Sequence, residues 1–299
     1  MSRLSISLSA LPAVHAGRRA RHGALAMIAG GLLLGTIGVF VQEAAQHPLT
    51  AAWCRCLFGV LALTAWGAAT GRLGELRLAG RAWASALGAG VLMTANWALF
   101  FAAIERSSIA LATVVFHVQP LWVMAAGAAF FGERVTRGQV AGALLALAGL
   151  GLASGVTGGP VAGAAVGLCL AASLSYAGVT LIAHRSPVVG SYALAWWQCA
   201  VGLVMLAAWP LRHGLPPAGA AWAWLAGLGI IHTGLAYVLL YGGMARLPTA
   251  RVALLQFVYP ATAVSIDWLV YGHAMSALQL AGVALMGVGL LAARREGPR

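Results

Sequence analysis

Lysine is absent from the 299 residues and acids are scarce: 18 basic residues, every one an arginine, stand against six Asp or Glu. Charged residues make up only 8% of the chain, where a soluble domain carries about 25%, so there is too little charge to clothe a water-facing surface. The shortage of acid also removes carboxylate-rich metal chemistry. No HExxH, GxSxG or phosphate-cradling P-loop is present, which excludes the common hydrolases and any pump with its own nucleotide domain. The four cysteines, Cys54, Cys56, Cys169 and Cys199, all lie inside apolar runs, and Cys54 and Cys56 two apart on a helix face different ways. Neither a disulfide nor a metal site is expected, and no cofactor.

What the chain has is apolar length. Hydrophobic residues are 61% of it and its mean hydropathy is +0.89. A hydrocarbon core about 30 Å thick takes roughly 20 apolar residues per helix. Cutting at charged, proline-bearing and glycine-rich breaks predicts ten spans, over 24–41, 50–69, 83–103, 108–130, 138–156, 162–182, 191–209, 220–241, 250–270 and 276–293. Arg18, Arg19 and Arg21 ahead of the first run resemble the start of a signal peptide, but further apolar segments follow at once, so a retained first span is expected. Glycine numbers 39, and spacings such as Gly31/Gly35, Gly138/Gly142 and Gly159/Gly163/Gly167 suit close helix packing.

The net charge of +12 does not read as a nucleic-acid surface, because the arginines fall in short gaps between apolar runs and form no patch. They read as topology determinants. With the N-terminus inside, Arg3, Arg18, Arg19, Arg21, Arg72, Arg77, Arg81, Arg134, Arg137, Arg185, Arg246, Arg251, Arg294, Arg295 and Arg299 gather on the cytoplasmic side, Arg106 and Arg212 fall outside, and Arg55 lies within a span. Both termini are expected in the cytoplasm.

The most informative feature is an internal repeat. A slide of 140 residues lays 101–150 on 241–290 without a gap and pairs Arg106/Arg246, Ala110/Ala250, Val118/Val258, Pro120/Pro260, Gly132/Gly272, Gln139/Gln279, Gly142/Gly282 and Gly149/Gly289. The first span matches at the same offset through Gly38/Gly178 and Val39/Val179, and the second at 143 through Trp53/Trp196, Cys56/Cys199, Gly59/Gly202 and Trp66/Trp209. Five spans per repeat is an odd number, so the second copy must enter the membrane upside down. The expected fold is therefore an all-α membrane protein of ten transmembrane helices in a five-plus-five inverted-topology repeat: a cytoplasmic tail over 1–23, a first repeat over 24–156, a linker over 157–161, a second repeat over 162–293 and a cytoplasmic tail over 294–299. Such repeats are typical of secondary transporters.

These features, together with Ala52-Trp53-Cys54-Arg55 near the start of the second span, a proline-bearing fourth span ending in Gly132-Glu133-Arg134, and Gln139-x-x-Gly142 opening the fifth, resemble the EamA branch of the drug/metabolite transporter superfamily. Within it the chain looks most like the bacterial inner-membrane exporters of aromatic and other amino acids. The resemblance implies a multi-pass inner-membrane carrier, not an enzyme, whose partners are a small-molecule substrate and the lipid bilayer, with no nucleic acid and no obligate protein partner. Efflux of cationic drugs or other small metabolites is the alternative, but it favours an acid embedded in the first span, and 24–41 has none. One departure stands out: the second repeat ends its fourth helix in Gly272-His273 where the first has Gly132-Glu133.

Pro120 and Pro260 occupy equivalent mid-span positions and are expected to act as kinks or hinges, each freeing the carbonyl four residues earlier, on Phe116 and Gln256. Matched interruptions in two halves point to a midplane site. The substrate-binding candidates are Asn96 and Trp97 on the third span, His117, Gln119 and Trp122 on the fourth, Tyr176 on the sixth, His232 and Tyr237 on the eighth, and Gln256 and Tyr259 on the ninth, since such groups are costly against lipid. An aromatic lining with few polar groups suits a zwitterion bearing an apolar or aromatic side chain. The charge candidates are Arg55, Asp267 and Glu133. Arg55 and Asp267 lie toward the outer ends of their spans, where an ion pair or snorkelling is the ordinary expectation and capture of a substrate carboxylate by Arg55 the functional one. Glu133, with Arg134, is expected to be a gate or loop anchor at the cytoplasmic end.

Overall fold

The computed structural model describes residues 10–155, 163–185, 189–272 and 275–295, and among these the chain is helical with no strand. The linker expected over 157–161, the first nine residues and the last four lie outside the described residues. The helices are α1 (Ala10–Gly35), α2 (Ile37–Ala44), α3 (Pro48–Ala69), α4 (Gly80–Ile104), α5 (Ile109–Phe116), α6 (Gln119–Phe131), α7 (Arg137–Ala153), α8 (Gly163–Arg185), α9 (Ser191–Met205), α10 (Ala208–His213), α11 (Ala221–Gly227), α12 (Ala236–Met244), α13 (Thr249–Leu255), α14 (Val258–Tyr271) and α15 (Ala277–Arg295). A π-helical segment, Leu228–Leu235, joins α11 to α12.

Among the described residues eight helical runs are long and apolar enough to cross a membrane, and two shorter apolar helices, Arg137–Ala153 and Ala277–Leu291, accompany them. At 1.5 Å per residue the 17 residues of α7 reach only about 26 Å. The helix ends follow from their sequences. Pro48 starts α3, where a missing N–H costs nothing. Thr136 and Gln139 form a reciprocal capping box at the head of α7. The repeat mates Gly132 and Gly272 stop α6 and α14 in the left-handed conformation, at φ 63° and 67°.

Two spans break where proline demands it. The fourth is cut between α5 and α6 at His117 and Val118, and the ninth between α13 and α14 at Gln256 and Phe257, with Pro120 and Pro260 in the first turn of the following piece. The eighth deviates differently: His232 Nδ1 lies 3.3 Å from the Gly227 carbonyl and the Thr233 hydroxyl donates to the Leu228 carbonyl five residues back at 2.9 Å. Such π-turns are frequent at functional sites.

Helix contacts carry the symmetry of the repeat. On α7 and α15, a Cβ at Gly149 would come within 2.6 Å of the Gly282 carbonyl oxygen and one at Gly289 within 2.5 Å of that of Gly142. The contacts run in opposite order along the two helices, which are therefore antiparallel. The 140-residue offset converts one contact into the other. On α3 and α9 the same exchange appears: Gly59 faces the Cys199 sulfur and Gly202 faces that of Cys56. A pseudo-two-fold axis across the helices passes through both pairs. Around it, α4 packs on α8 and α9, as α12 with its π segment packs on α1 and α3. Packing by small residues and backbone contact is what holds helices together where hydrocarbon offers no hydrophobic drive.

Candidate functional site

At the axis sits Arg55. It is 8% exposed, and its Nε donates to the Thr233 hydroxyl at 2.9 Å and its Nη2 to the Tyr237 hydroxyl at 3.2 Å. The guanidinium carbon lies 4.7 Å from the centroid of Trp97 and 6.0 Å from that of Tyr237, residues that the 140-residue offset makes equivalent. The π-turn of the eighth span aims Thr233 at it. The ion pair or snorkelling expected of Arg55 is not what the structure places there: the ion pairs among the described residues are Arg72 with Glu75 and Glu133 with His184 and Arg185. Arg55 is a buried cation held by neutral partners, because its helix enters the bundle between α9 and the eighth span.

Two buried amides, on the third and seventh spans, each have an atom that lacks a partner. Gln198, which the 143-residue offset makes the mate of Arg55, is fully buried, accepts from the Tyr241 hydroxyl through Oε1, and leaves Nε2 without a partner. Asn96 reaches only the Met93 sulfur, at 3.6 Å, and its Oδ1 is unpartnered. His232, beside Thr233 in sequence, is fully buried and turned toward the first span, with Nε2 at 2.8 Å from the Thr36 hydroxyl and its ring 4.5 Å from that of Phe40.

A second group forms at the proline breaks. His117 holds the Thr113 carbonyl at 2.6 Å, stacks on Tyr259 at 5.8 Å and faces its own repeat mate Phe257 at 6.2 Å. Tyr176 packs 5.8 Å from Phe116. Gln119 and Gln256 both donate to the Thr180 hydroxyl at 3.2 Å, and Gln256 Oε1 has no donor. Trp122, 39% exposed, donates to Ser173 at 3.1 Å and stands apart from this group.

The two ends of the bundle differ. At one, Glu133 Oε2 accepts from the Thr249 amide at 2.8 Å and its hydroxyl at 2.7 Å, while Oε1 lies 3.1 Å from His184 Nε2. His184 in turn meets the Met244 carbonyl at 3.0 Å. One carboxylate thus ties the fourth, sixth, eighth and ninth spans together, and α6 packs on α13 there. Burial pushes the Glu133 carboxyl up, but the bonds from Thr249 and His184 outweigh it and hold the group below the usual carboxylate range. At the other end, α5 and α14 hardly touch. A cleft of about 490 Å³ opens between them, lined by Gly38, Thr113, Tyr259, Pro260, Asp267 and Gln279 among others.

Sequence reasoning missed the threonines. Thr180, Thr233 and Thr249 each hold a candidate residue in place, and nothing distinguishes a threonine hydroxyl that bonds its own helix from one aimed across the bundle until the helices are packed. His184 was equally hidden, as the last turn of α8 is an ordinary place for a basic residue.

The model of the EamA-like transporter family matches the chain twice, over residues 21–155 and 163–294. The chain is 26% identical over 280 residues to the uncharacterized transporter YxxF of Bacillus subtilis (strain 168), covering 91% of this chain and 89% of that protein. It is 27% identical over 281 residues to an uncharacterized transporter of Archaeoglobus fulgidus, covering 92% and 97%. A protein of known crystal structure superposes with a TM-score of 0.82 at 23% identity, over 93% of this chain and 99% of that one, and so shares the fold.

Proposed function

Since the chain belongs to the EamA-like transporter family, and is a multi-pass membrane transporter rather than an enzyme, we propose that it is a secondary carrier exporting aromatic and other neutral amino acids across the bacterial inner membrane by alternating access. The observation that carries the substrate reading is Arg55: a permanent cation over the rings of Trp97 and Tyr237, fit to take a carboxylate while the aromatic groups around it take an apolar side chain. In this reading Asn96, Trp97, Tyr237 and Arg55 form the inner part of the site. His117, Gln119, Tyr176, Gln256 and Tyr259 line its approach, His232 braces the π-turn, and Trp122 and Asp267 flank it. Pro120 and Pro260 supply the hinges.

The arginine distribution supports a topology of ten spans with both termini in the cytoplasm, and the antiparallel exchange contacts support inversion of the second repeat. The Glu133 end is then cytoplasmic and shut, the cleft faces outward, and exchange of conformation between the halves gives the inward-facing state. Export of permanent cations fits less well, since the first span has no acid before Glu43 and Arg55 would repel them.

Uptake of labelled phenylalanine into proteoliposomes of the purified protein tests this. Saturable uptake that tryptophan inhibits strongly and a lipophilic cation weakly is expected. Carriage of the cation without phenylalanine would leave the family and the fold standing and remove the amino-acid reading.

A further inference from the structure

We infer that the site at the pseudo-two-fold axis recognises the carboxylate and apolar body of its substrate and not an ammonium group, so that apolar monocarboxylates lacking an amine are ligands of the same site. This rests on the carrier reading and on Arg55 as its anchor, and it broadens the substrate class from zwitterions to organic monoanions.

The argument is one of charge. The guanidinium has five N–H donors and spends two, on Thr233 and Tyr237, both neutral. Its equivalent in the second repeat, Gln198, is fully buried and has an unpartnered amide nitrogen. What the axis offers a ligand is thus a positive charge and a free amide N–H, the complement of a carboxylate; Asn96 Oδ1, also unpartnered, is a neutral amide oxygen and brings no counter-charge for an ammonium. A buried charge without a counter-charge is expensive, and a ligand of charge −1 cancels it where a zwitterion does not.

No acid stands ready for an ammonium. Of the carboxylates in the described residues, Glu43, Glu75, Glu105 and Asp267 are exposed, and Glu133 is committed to Thr249 and His184. Asp267 follows Tyr259 by eight residues, about 12 Å along a helix, toward the mouth of the cleft. The Trp97 face, where a cation would find a quadrupole, is already covered by Arg55. An ammonium carried in beside Arg55 would be stripped of water and repelled by the guanidinium, with no carboxylate among the described residues to neutralise it.

The test uses three probes of one shape: phenylalanine, 3-phenylpropionate, which lacks the amine, and phenethylamine, which lacks the carboxylate. Binding is read as the shift in thermal unfolding of the purified protein and as inhibition of labelled phenylalanine uptake in proteoliposomes. Expected are 3-phenylpropionate binding at least as tight as phenylalanine, phenethylamine at least tenfold weaker, and at least a tenfold loss of 3-phenylpropionate binding in Arg55→Gln. Arg55→Lys, which keeps the charge and loses the fork, decides the matter where Arg55→Gln does not fold. About a tenfold loss for the carboxylate with no change for phenethylamine is expected, and binding equal to the parent overturns the inference. Phenethylamine matching 3-phenylpropionate, or 3-phenylpropionate binding tenfold more weakly than phenylalanine, overturns it as well. Phenylalanine carried while 3-phenylpropionate fails to bind sinks this inference and spares the amino-acid reading. Arg55-dependent binding of 3-phenylpropionate with phenylalanine neither bound nor carried does the reverse.

Discussion

The two halves of the chain agree in how they pack and differ in what they carry at their ends and centre. Gly142, Gly149, Cys56 and Gly59 meet the mates of one another across the axis as though the halves were copies. At the axis itself the copies part: Arg55 stands against Gln198 and Trp97 against Tyr237. At the ends of the fourth and ninth spans they part again, Glu133 facing Thr249 at one, while at the other the corresponding residues are His273 and Ile109. The halves share their packing and depart from one another at the axis and at the ends. A perfectly symmetric pair of gates would leave the inward- and outward-facing states equal in energy. Among the described residues the latch is seen at one end, and it biases the resting state toward the opening at the other.

The largest expected effect comes from removing that bias. Glu133→Ala leaves the Thr249 amide and hydroxyl unpaired, and hydrogen bonds to a charged group are each worth about 1.5–3 kcal/mol. Net transport should fall at least tenfold, and a cysteine placed at Thr113 in the cleft should lose most of its labelling by a membrane-impermeant thiol reagent. Unchanged labelling would show that the latch does not set the resting state. The complementary change, His273→Glu with Ile109→Thr, gives the opposite end the residue types of the latch and should slow transport severalfold where either change alone does little.

Trp97→Ala, at the buried centre, should reduce transport at least tenfold with surface expression held within twofold, and equal losses in both would mark the tryptophan as packing alone. Pro260→Ala and Pro120→Ala, which restore a backbone donor at each break, should each change rates a few-fold. Equal effects would say that both breaks move alike, and unequal effects that one half does more of the rocking. The smallest effect concerns pH. The Glu133 carboxyl is held below its ordinary value, so the latch is fully present above the ordinary range near pH 4.3 and is lost only as pH falls through the lowered one. Glu133→Gln should therefore remove no pH dependence of transport between pH 6 and 8, and a profile that flattens in this variant would contradict the assignment.

Much of this frame was legible in the sequence, because apolar runs, arginine gaps and a repeat at a fixed offset are properties of the chain taken alone. Pro120 and Pro260 announced their breaks, since proline acts on its own backbone. The π-turn over Leu228–Leu235 was not legible, as no residue there forbids an α-helix and the deviation is sustained by Thr233 and His232 meeting partners on other spans. Arg55 was visible as a charge but not as an axial one: its depth depends on which faces α3 presents to α9 and to the eighth span. The ties of Glu133 to Thr249 and His184 were hidden for the same reason, being made between residues 116 and 51 positions apart.

The exchange contact between α7 and α15 has a further consequence. An element that a two-fold operation maps onto its own partner is unchanged when the halves trade conformations, just as the pin of a pair of scissors stays put while the blades swing. Gly142 with Gly289 and Gly149 with Gly282 form such a pin. A covalent staple across that pair should leave the carrier running, whereas the same staple between Gly127 and Thr249, which meet beside the closed latch, should stop it dead.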